Sequence, residues 1–225
     1  MSATGRSDVR HMLDHYETPA WAVEAILPHF LAEAYPAHGR ILDPGCGSGA
    51  IGQVLHDRAP NCRILGVELD DDKAEAALKR PGAYDKVVVG NFLEVKNRLD
   101  VSATIGNPPF SQAQAFIDHA REYFEGPVCF LLRLAFLESK KRALWWGANP
   151  ADVYVLPERP SFAWTFGCTE DRKNHRRSMP VGTEGPIYCH ACGAPMKKSS
   201  TTDNAAMAWF IWHGNGPGRV RVLPC

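Results

Sequence analysis

The sequence lacks the long apolar runs of a membrane protein and any excess of charge of one sign. No hydrophobic run approaches the roughly 20 residues that a membrane-spanning helix needs. The 25 Lys and Arg residues balance the 25 Asp and Glu residues, so net charge alone does not favour a polyanion or a membrane surface. The polar stretch 1–13 has no apolar core like that of a signal peptide. We therefore expect a cytoplasmic protein with no membrane partner.

Cysteine is present, but its arrangement is unlike that of a disulfide framework. The seven cysteines are an odd number and are scattered through 225 residues, whereas small secreted scaffolds carry closely spaced, even sets. Hydrophobic residues make up 45% of the chain and charged residues 22%, which is ordinary for a globular protein with a buried core. The length suits one α/β domain with an insertion. No obligate protein partner is evident.

Short apolar segments alternate with helix-like segments along most of the chain. We predict strands at 40–43, 61–68, 86–89, 102–105, 127–136, 153–156 and 207–212, with helices between them. Such alternation predicts a mostly parallel sheet covered on both faces. The pattern breaks at Gly167 and returns after Asp203. The sequence thus predicts an α/β catalytic domain over 1–166 and 204–225, with an inserted segment at 167–203.

A glycine-rich turn follows the first predicted strand. That strand ends at Asp43, and Gly45, Gly47 and Gly49 follow at alternate positions before a predicted helix. Glycines at such positions let the backbone approach a ligand where a side chain would clash. Glu68 ends the second predicted strand, where a carboxylate can bind the hydroxyls of a ribose. Together these residues favour a nucleoside cofactor over a tight turn of purely structural role.

A second motif, Asn107-Pro108-Pro109-Phe110, follows the fourth predicted strand. Because proline has no N–H, the two prolines leave local carbonyl oxygens available as acceptors. The Asn107 side-chain oxygen and the Pro108 carbonyl can both accept from an amino group and so direct its lone pair towards an electrophile. Phe110 offers a ring on which a base can stack. A rigid turn is the alternative, but a position at the carboxyl end of a strand favours a catalytic site.

In this order, the two motifs resemble those of the amino-group DNA methyltransferases of the class I Rossmann-like family, in particular small phage-type adenine-N6 methylases. The N-terminal segment 15–19 (HYETP) resembles the family's N-terminal cofactor motif, and the motif order resembles the γ arrangement. Asn91 stands where the family often has an acid near the cofactor's adenine. The resemblance assigns ten residues to the cofactor: Tyr16, Thr18, Asp43, Gly45, Gly47, Gly49, Glu68, Asn91, Phe92 and Asn107.

The resemblance implies a Rossmann-like, doubly wound, mostly parallel sheet of seven strands and S-adenosylmethionine as the cofactor. It also implies direct transfer of a methyl group to N6 of adenine in DNA, in a bacterial or phage-infected cell, with the base flipped out of the duplex. Asn107, Pro108, Pro109 and Phe110 would form the catalytic motif. No cysteine follows a proline in the pattern that the nucleophile of a C5-cytosine enzyme needs, and Cys46 lies in the cofactor turn.

The inserted segment carries a Cys-x-x-Cys-Gly turn that is shaped like half of a zinc ribbon. Cys168, His175, Cys189 and Cys192 could form a closed structural zinc site, with His190 as an alternative fourth ligand. The segment is poor in apolar residues, so a metal would help to order it. The alternative is a loop with two thiols. Six basic residues surround the four ligands, namely Arg172, Lys173, Arg176, Arg177, Lys197 and Lys198, and they favour a role in target recognition.

Charge and motif leave other substrates open. Residues 133–198 hold 11 Lys and Arg against 6 Asp and Glu, and such a basic region suits a nucleic acid better than a protein. Further phosphate contacts could come from Arg133, Lys140, Lys141 and Arg142. RNA adenine is therefore the main alternative to DNA adenine, ahead of cytosine N4 and a protein glutamine. A nucleic-acid-binding module with a vestigial cofactor fold is an alternative of another class.

Overall fold

The computed structural model describes residues 17–34, 40–96, 100–160, 163–168, 176–180, 186, 188–189, 192–201, 205–214 and 218–224. Its strands are β1 (Arg40–Pro44), β2 (Arg63–Glu68), β3 (Lys86–Val89), β4 (Val101–Gly106), β5 (Val128–Arg133), β6 (Asp152–Val155), β7 (Ala163–Cys168), β8 (Arg176–Pro180), β9 (Met196–Thr201), β10 (Met207–Trp212) and β11 (Val220–Val222). The α-helices are α1 (Ala20–Ala34), α2 (Ala50–Arg58), α3 (Asp71–Lys79), α4 (Ala113–Tyr123) and α5 (Lys140–Ala148). Three short 3₁₀ helices span Phe92–Glu94, Phe110–Gln112 and Leu134–Leu137.

Eight strands form one sheet in the order β11-β6-β10-β5-β4-β1-β2-β3. β10 runs antiparallel to β5 and β6, and the other neighbours are parallel. The expected Rossmann-like, mostly parallel sheet is confirmed, with eight strands instead of seven. The additional strand is β11, which pairs with β6 at the edge of the sheet. Its three residues are too few to show a period in the sequence.

Helices cover both faces of this sheet, as a doubly wound fold requires. One buried apolar cluster joins α1, α2 and α3 to one face, and a second joins α4 to the other. β10 contributes to both, because alternate residues of a strand point to opposite faces: Trp209 belongs to the first cluster and Phe210 to the second. No described helix combines the length and apolarity that crossing a membrane requires.

The parallel strands place the two sequence motifs at one edge of the sheet. β1 pairs with β2 on one side and with β4 on the other, so the carboxyl ends of these three strands are neighbours. The glycine turn follows β1, Glu68 ends β2, and Asn107 follows β4. Crevices at this edge are where open α/β sheets bind ligands.

The inserted segment contains a separate three-stranded antiparallel sheet in the order β8-β7-β9. β7 begins at Ala163, so this second sheet starts before the boundary expected at residue 167. The strand pairing was not predicted, because the segment shows little alternation of apolar and polar residues, and alternation is the main sequence indication of a strand.

Candidate active site

The glycine turn has a backbone that only glycine adopts easily. Gly45, Gly47 and Gly49 have φ angles of 71°, 55° and 93°, in the left-handed region that a Cβ disfavours. The N–H groups of Gly45 and Cys46 both donate to the Val67 carbonyl, at 2.7 and 3.1 Å. The turn is therefore fixed against β2 and leads directly into the N-terminus of α2, where backbone N–H groups can face a ligand.

Tyr84 lies beneath this turn, and the sequence motifs did not predict it. A Cβ on Gly49, Gly52 or Gly66 would come within 3.0, 2.3 or 3.2 Å of its side chain, so the ring occupies the space that these three glycines leave. Its hydroxyl donates to Asp43 Oδ2 at 2.7 Å and accepts from the Gly52 N–H at 3.2 Å. Tyr84 therefore connects the end of β1 to α2.

Asp43 is fully buried, with 0% of its surface exposed. Its Oδ1 atom has no hydrogen-bond partner among the described residues. Burial raises the pKa of the carboxyl from its ordinary 3.8 to about 7; the Tyr84 hydrogen bond opposes this rise and the charge of Glu68 adds to it. A buried carboxylate oxygen without a partner is costly, and a polar group of a bound cofactor could satisfy it.

Glu68 connects the glycine turn to the end of β2. Its Oε2 accepts from the Gly47 N–H at 2.7 Å, and its Oε1 accepts from the Asp70 N–H at 3.0 Å. A carboxylate offers about four lone-pair positions, so this arrangement leaves capacity for ribose hydroxyls. The next residue, Leu69, is 70% exposed and presents an apolar surface beside the carboxylate. These features fit a nucleoside.

Asn91 and Phe92, which the resemblance assigned to the cofactor, have their contacts within the protein. The Asn91 side-chain oxygen accepts from the Leu93 N–H at 3.1 Å, and its amide donates to Glu94 at 3.0 Å. Asn91 thus caps a 3₁₀ turn. Phe92 is 3% exposed and its ring lies 5.0 Å from that of Phe116, between centroids. Its ring therefore belongs to the core and offers little surface to a cofactor.

The catalytic turn leaves β4 with Pro108 buried and Asn107 partly buried. Asn107 Nδ2 donates to the Thr18 hydroxyl at 3.1 Å. Since the nitrogen end of the amide is engaged there, Oδ1 is the end that can accept from an incoming amine. The sequence assigned Thr18 to the cofactor, and the structure places its hydroxyl against the Asn107 amide.

A cationic side chain lies over the ring of Phe110. The Arg133 guanidinium lies 4.6 Å from the ring centroid, a separation typical of cation–π stacking. Arg133 ends β5, which pairs with β4, so both residues follow neighbouring strand ends. The guanidinium therefore covers a face of the ring to which the sequence assigned the target base.

The N-terminal motif contributes further residues. Tyr16 lies outside the described residues. Glu17 accepts from the Ser48 hydroxyl and, at 2.8 Å, from the Arg80 guanidinium, which also donates to the Ser48 carbonyl at 2.6 Å. The contacts among Glu17, Ser48 and Arg80 were not predicted, because no spacing rule connects positions so far apart. Together they attach the start of α1 to the glycine turn.

Cys46 is not suited to be a nucleophile. It is 7% exposed, and burial, with the negative charges of Asp43 and Glu68, raises the pKa of its thiol. A thiol that stays protonated is a poor nucleophile. Its position supports transfer without a covalent cysteine intermediate.

The Cys-x-x-Cys turn of the inserted segment is compact. Cys189 is 5% exposed, Cys192 is exposed, and the Gly193 N–H donates to the Cys189 carbonyl at 2.8 Å. Gly193 has a φ of 71°, which favours glycine at the end of the turn.

The zinc site stays a prediction. His175 lies outside the described residues, and the described residues contain no group of three or more Cys, His, Asp or Glu that could hold a metal ion. The backbone of Cys168 pairs with that of Met196. Because the 188–195 turn leads into Met196, Cys168 and the Cys189–Cys192 turn lie at the same end of the small sheet.

Comparisons with known proteins cover the part of the chain from the glycine turn to Asn107–Phe110. Residues 22–128 match the methyltransferase small domain family. Ribosomal RNA small subunit methyltransferase C from Stutzerimonas stutzeri is 33% identical over 87 residues, covering 37% of this chain and 26% of that protein. The Salmonella choleraesuis protein of the same name is 34% identical over 95 residues, covering 40% and 27%. The matched region thus spans about a quarter of the length of these curated relatives.

Solved structures share the fold at low identity. The candidate RNA methyltransferase PH1948 from Pyrococcus horikoshii aligns with a TM-score of 0.53 and 15% identity over 95% of this chain and 90% of that one. A predicted O-methyltransferase, Atu636 from Agrobacterium tumefaciens, aligns with a TM-score of 0.53 and 16% identity over 90% and 84%. At these identities the matches show the shared α/β fold alone.

Proposed function

We propose that this protein transfers a methyl group from S-adenosylmethionine to an exocyclic amine of a nucleic-acid base, with RNA as the first candidate substrate. The observation that carries the proposal is the Asn107 amide, whose nitrogen is engaged by Thr18 and whose oxygen end is the one that can accept. This amide follows β4, next to the glycine turn that follows β1. A cofactor site and an amine-orienting site therefore meet at one sheet edge.

The buried groups fit the cofactor. When bound, S-adenosylmethionine supplies an electrophilic methyl group on a sulfonium. Glu68 would accept from the ribose hydroxyls, and Leu69 would provide an apolar contact beside them. Asp43 Oδ1, which has no hydrogen-bond partner within the described part of the chain, could accept from a polar group of the methionine portion. The three glycines give that portion access to the backbone.

The catalytic turn would orient the target amine. Asn107 Oδ1 and the Pro108 carbonyl would each accept one N–H of the target NH₂ group. This holds the nitrogen so that its lone pair points towards the methyl group, and oriented acceptors of this kind stabilise the charge that develops on the amine. The amine nitrogen gains the methyl carbon as the carbon–sulfur bond breaks, and one amine proton is then released to water. Asn107 orients and does not act as a base.

The comparisons favour RNA over DNA. The curated relatives are named as ribosomal RNA methyltransferases, whereas DNA adenine N6 rests on the resemblance of the motifs to phage methylases. DNA adenine remains the second candidate. The catalytic turn binds an NH₂ group, and adenine N6, cytosine N4 and guanine N2 all offer one, so we propose the amine class and leave the base to experiment.

The small sheet would provide the target-binding surface. Its strands carry four basic residues, namely Arg176, Arg177, Lys197 and Lys198. A zinc ion on Cys168, Cys189, Cys192 and His175 would hold its end together. The β7–β9 register supports this set, and His175 directly precedes Arg176, whose backbone pairs with that of Gly167.

One experiment separates the substrates. The purified chain is incubated with methyl-labelled S-adenosylmethionine and with matched RNA, single-stranded DNA, duplex DNA or protein, and the products are digested and analysed by mass spectrometry. We expect a methylated nucleoside from RNA, absent with Asn107→Ala. Label in DNA alone would favour the second candidate. Label in a glutamine of the protein, or no label in any of the four substrates, would contradict the proposal.

A further inference from the structure

Two adjacent residues at the start of α1 contact both halves of the site. Glu17 accepts from the Ser48 hydroxyl of the glycine turn, and Thr18 accepts from the Asn107 amide of the catalytic turn. We propose that Thr18 is a positioning residue that makes the orientation of the Asn107 amide depend on cofactor binding. The inference rests on the proposed function and adds to it a device by which the cofactor prepares the amine site.

The Thr18 hydroxyl is held in place by its surroundings. Thr18 is 5% exposed, and α1 behind it buries Ile26 and Phe30 completely. The Trp209 indole N–H donates to the Ala22 carbonyl at 2.7 Å in a buried position, which attaches the first turn of α1 to β10. The backbone next to Thr18 is therefore anchored, which limits how far the hydroxyl can move with Asn107.

Hydrogen-bond chemistry then decides which end of the amide faces the target. A hydroxyl has one donor and two acceptor positions, so Thr18 could accept from Asn107 Nδ2 or, with the amide flipped, donate to Oδ1. In the flipped state the NH₂ end would face the target NH₂, and two donors cannot bond. When the Thr18 hydroxyl donates a hydrogen bond to a bound cofactor, it can only accept from Asn107. The Asn107 amide is then held with Oδ1 towards the target amine.

Glu17 supplies the link to the glycine turn. Its carboxylate accepts from both Ser48 and Arg80, and Arg80 also donates to the Ser48 carbonyl at 2.6 Å. A cofactor bound at the glycine turn would therefore lie beside the Glu17–Thr18 segment, which is already attached to this turn. The two contacts of Glu17 and Thr18 join the cofactor turn and the catalytic turn through a single peptide unit.

The test compares Thr18→Val, which removes the hydroxyl and keeps the shape, with Thr18→Ser, which keeps the hydroxyl. The first readout is the ¹⁵N–¹H₂ resonance of the Asn107 side chain, assigned by its loss in Asn107→Ala, before and after saturation with S-adenosylhomocysteine. We expect a shift in the wild type and in Thr18→Ser, and none in Thr18→Val. The Asn149 amide, which donates to the Trp145 carbonyl at 2.8 Å in α5, is an internal control that should not move.

The second readout is the split between binding and turnover. We expect Thr18→Val to lower kcat at saturating cofactor about tenfold, the worth of one oriented hydrogen bond. The Kd for S-adenosylhomocysteine should rise by no more than about tenfold, because the hydrogen bond from Thr18 to the cofactor is lost as well. Thr18→Ser should restore kcat. An equal Asn107 shift in Thr18→Val, or a kcat at saturating cofactor equal to that of the wild type, would overturn the positioning role. A wild type that binds no S-adenosylhomocysteine would instead refute the proposed function.

Discussion

Replacing Asp43 by asparagine should remove a loss of stability that the wild type shows as the pH rises, although it alters the proposed cofactor site. Asp43 is fully buried and its Oδ1 has no hydrogen-bond partner among the described residues. Burial raises the pKa of its carboxyl from 3.8 to about 7, so the folded protein carries this charge at a cost when the pH is high. Residues placed for function are commonly destabilising in this way.

The direction and size follow from linkage. Because the pKa is raised in the folded state, Asp43 holds its proton over a pH range in which the unfolded chain has lost it. The wild type therefore loses stability as the pH rises from about 4 to about 7. Between pH 5 and pH 8 this loss is on the order of 2 to 3 kcal/mol. The amide side chain of Asp43→Asn does not titrate, so the variant lacks this loss.

Urea unfolding of wild type and Asp43→Asn at pH 5 and pH 8 measures the effect. Any cost of burying the N–H groups of the new amide is the same at both pH values and cancels in the difference. Between pH 5 and pH 8, we expect the free energy of unfolding of the variant to rise by about 2 kcal/mol relative to that of the wild type. Parallel pH profiles for the two proteins would refute the argument that Asp43 is buried with a raised pKa.

Three further predictions concern the cofactor, the target and the inserted segment. Glu68→Ala should weaken S-adenosylmethionine binding in calorimetry by about tenfold or more, because a ribose acceptor is lost; unchanged affinity would exclude the ribose contact. Arg133→Ala should raise KM for an oligonucleotide and alter base stacking on Phe110, whereas Lys86→Ala, a charge change at the opposite end of the sheet, should not; equal effects would point to net charge alone. Metal analysis should find one zinc per chain that is lost in Cys189→Ser/Cys192→Ser, with cofactor binding preserved; substoichiometric zinc in the wild type would remove the metal proposal.

Local features were accessible from the sequence. A glycine-rich turn was predicted after the first strand, and its three glycines have left-handed φ angles, a backbone that glycine adopts most easily. The prolines of the catalytic turn likewise restrict only their own neighbourhood. The mostly parallel sheet could be predicted because strands and helices alternate along the sequence.

Contacts between distant positions were not accessible. Tyr84 is 41 residues from Asp43, and Thr18 is 89 residues from Asn107, and no spacing rule connects such pairs. Phe92 was assigned to the cofactor from a motif position, but its ring is buried in the core. A motif identifies which segment reaches the site, whereas the direction of each side chain depends on the packing around it.

Our proposal is that one sheet edge binds S-adenosylmethionine and separately orients an amine. It is tested most directly by measuring cofactor Kd and single-turnover methyl transfer for wild type and Asn107→Ala with the best nucleic-acid substrate. We predict one cofactor per chain for both proteins, Kd values within a few-fold, and a loss of transfer rate of about 100-fold or more in the variant. A wild type that does not bind the cofactor, or a variant that loses binding and transfer together, would contradict the claim.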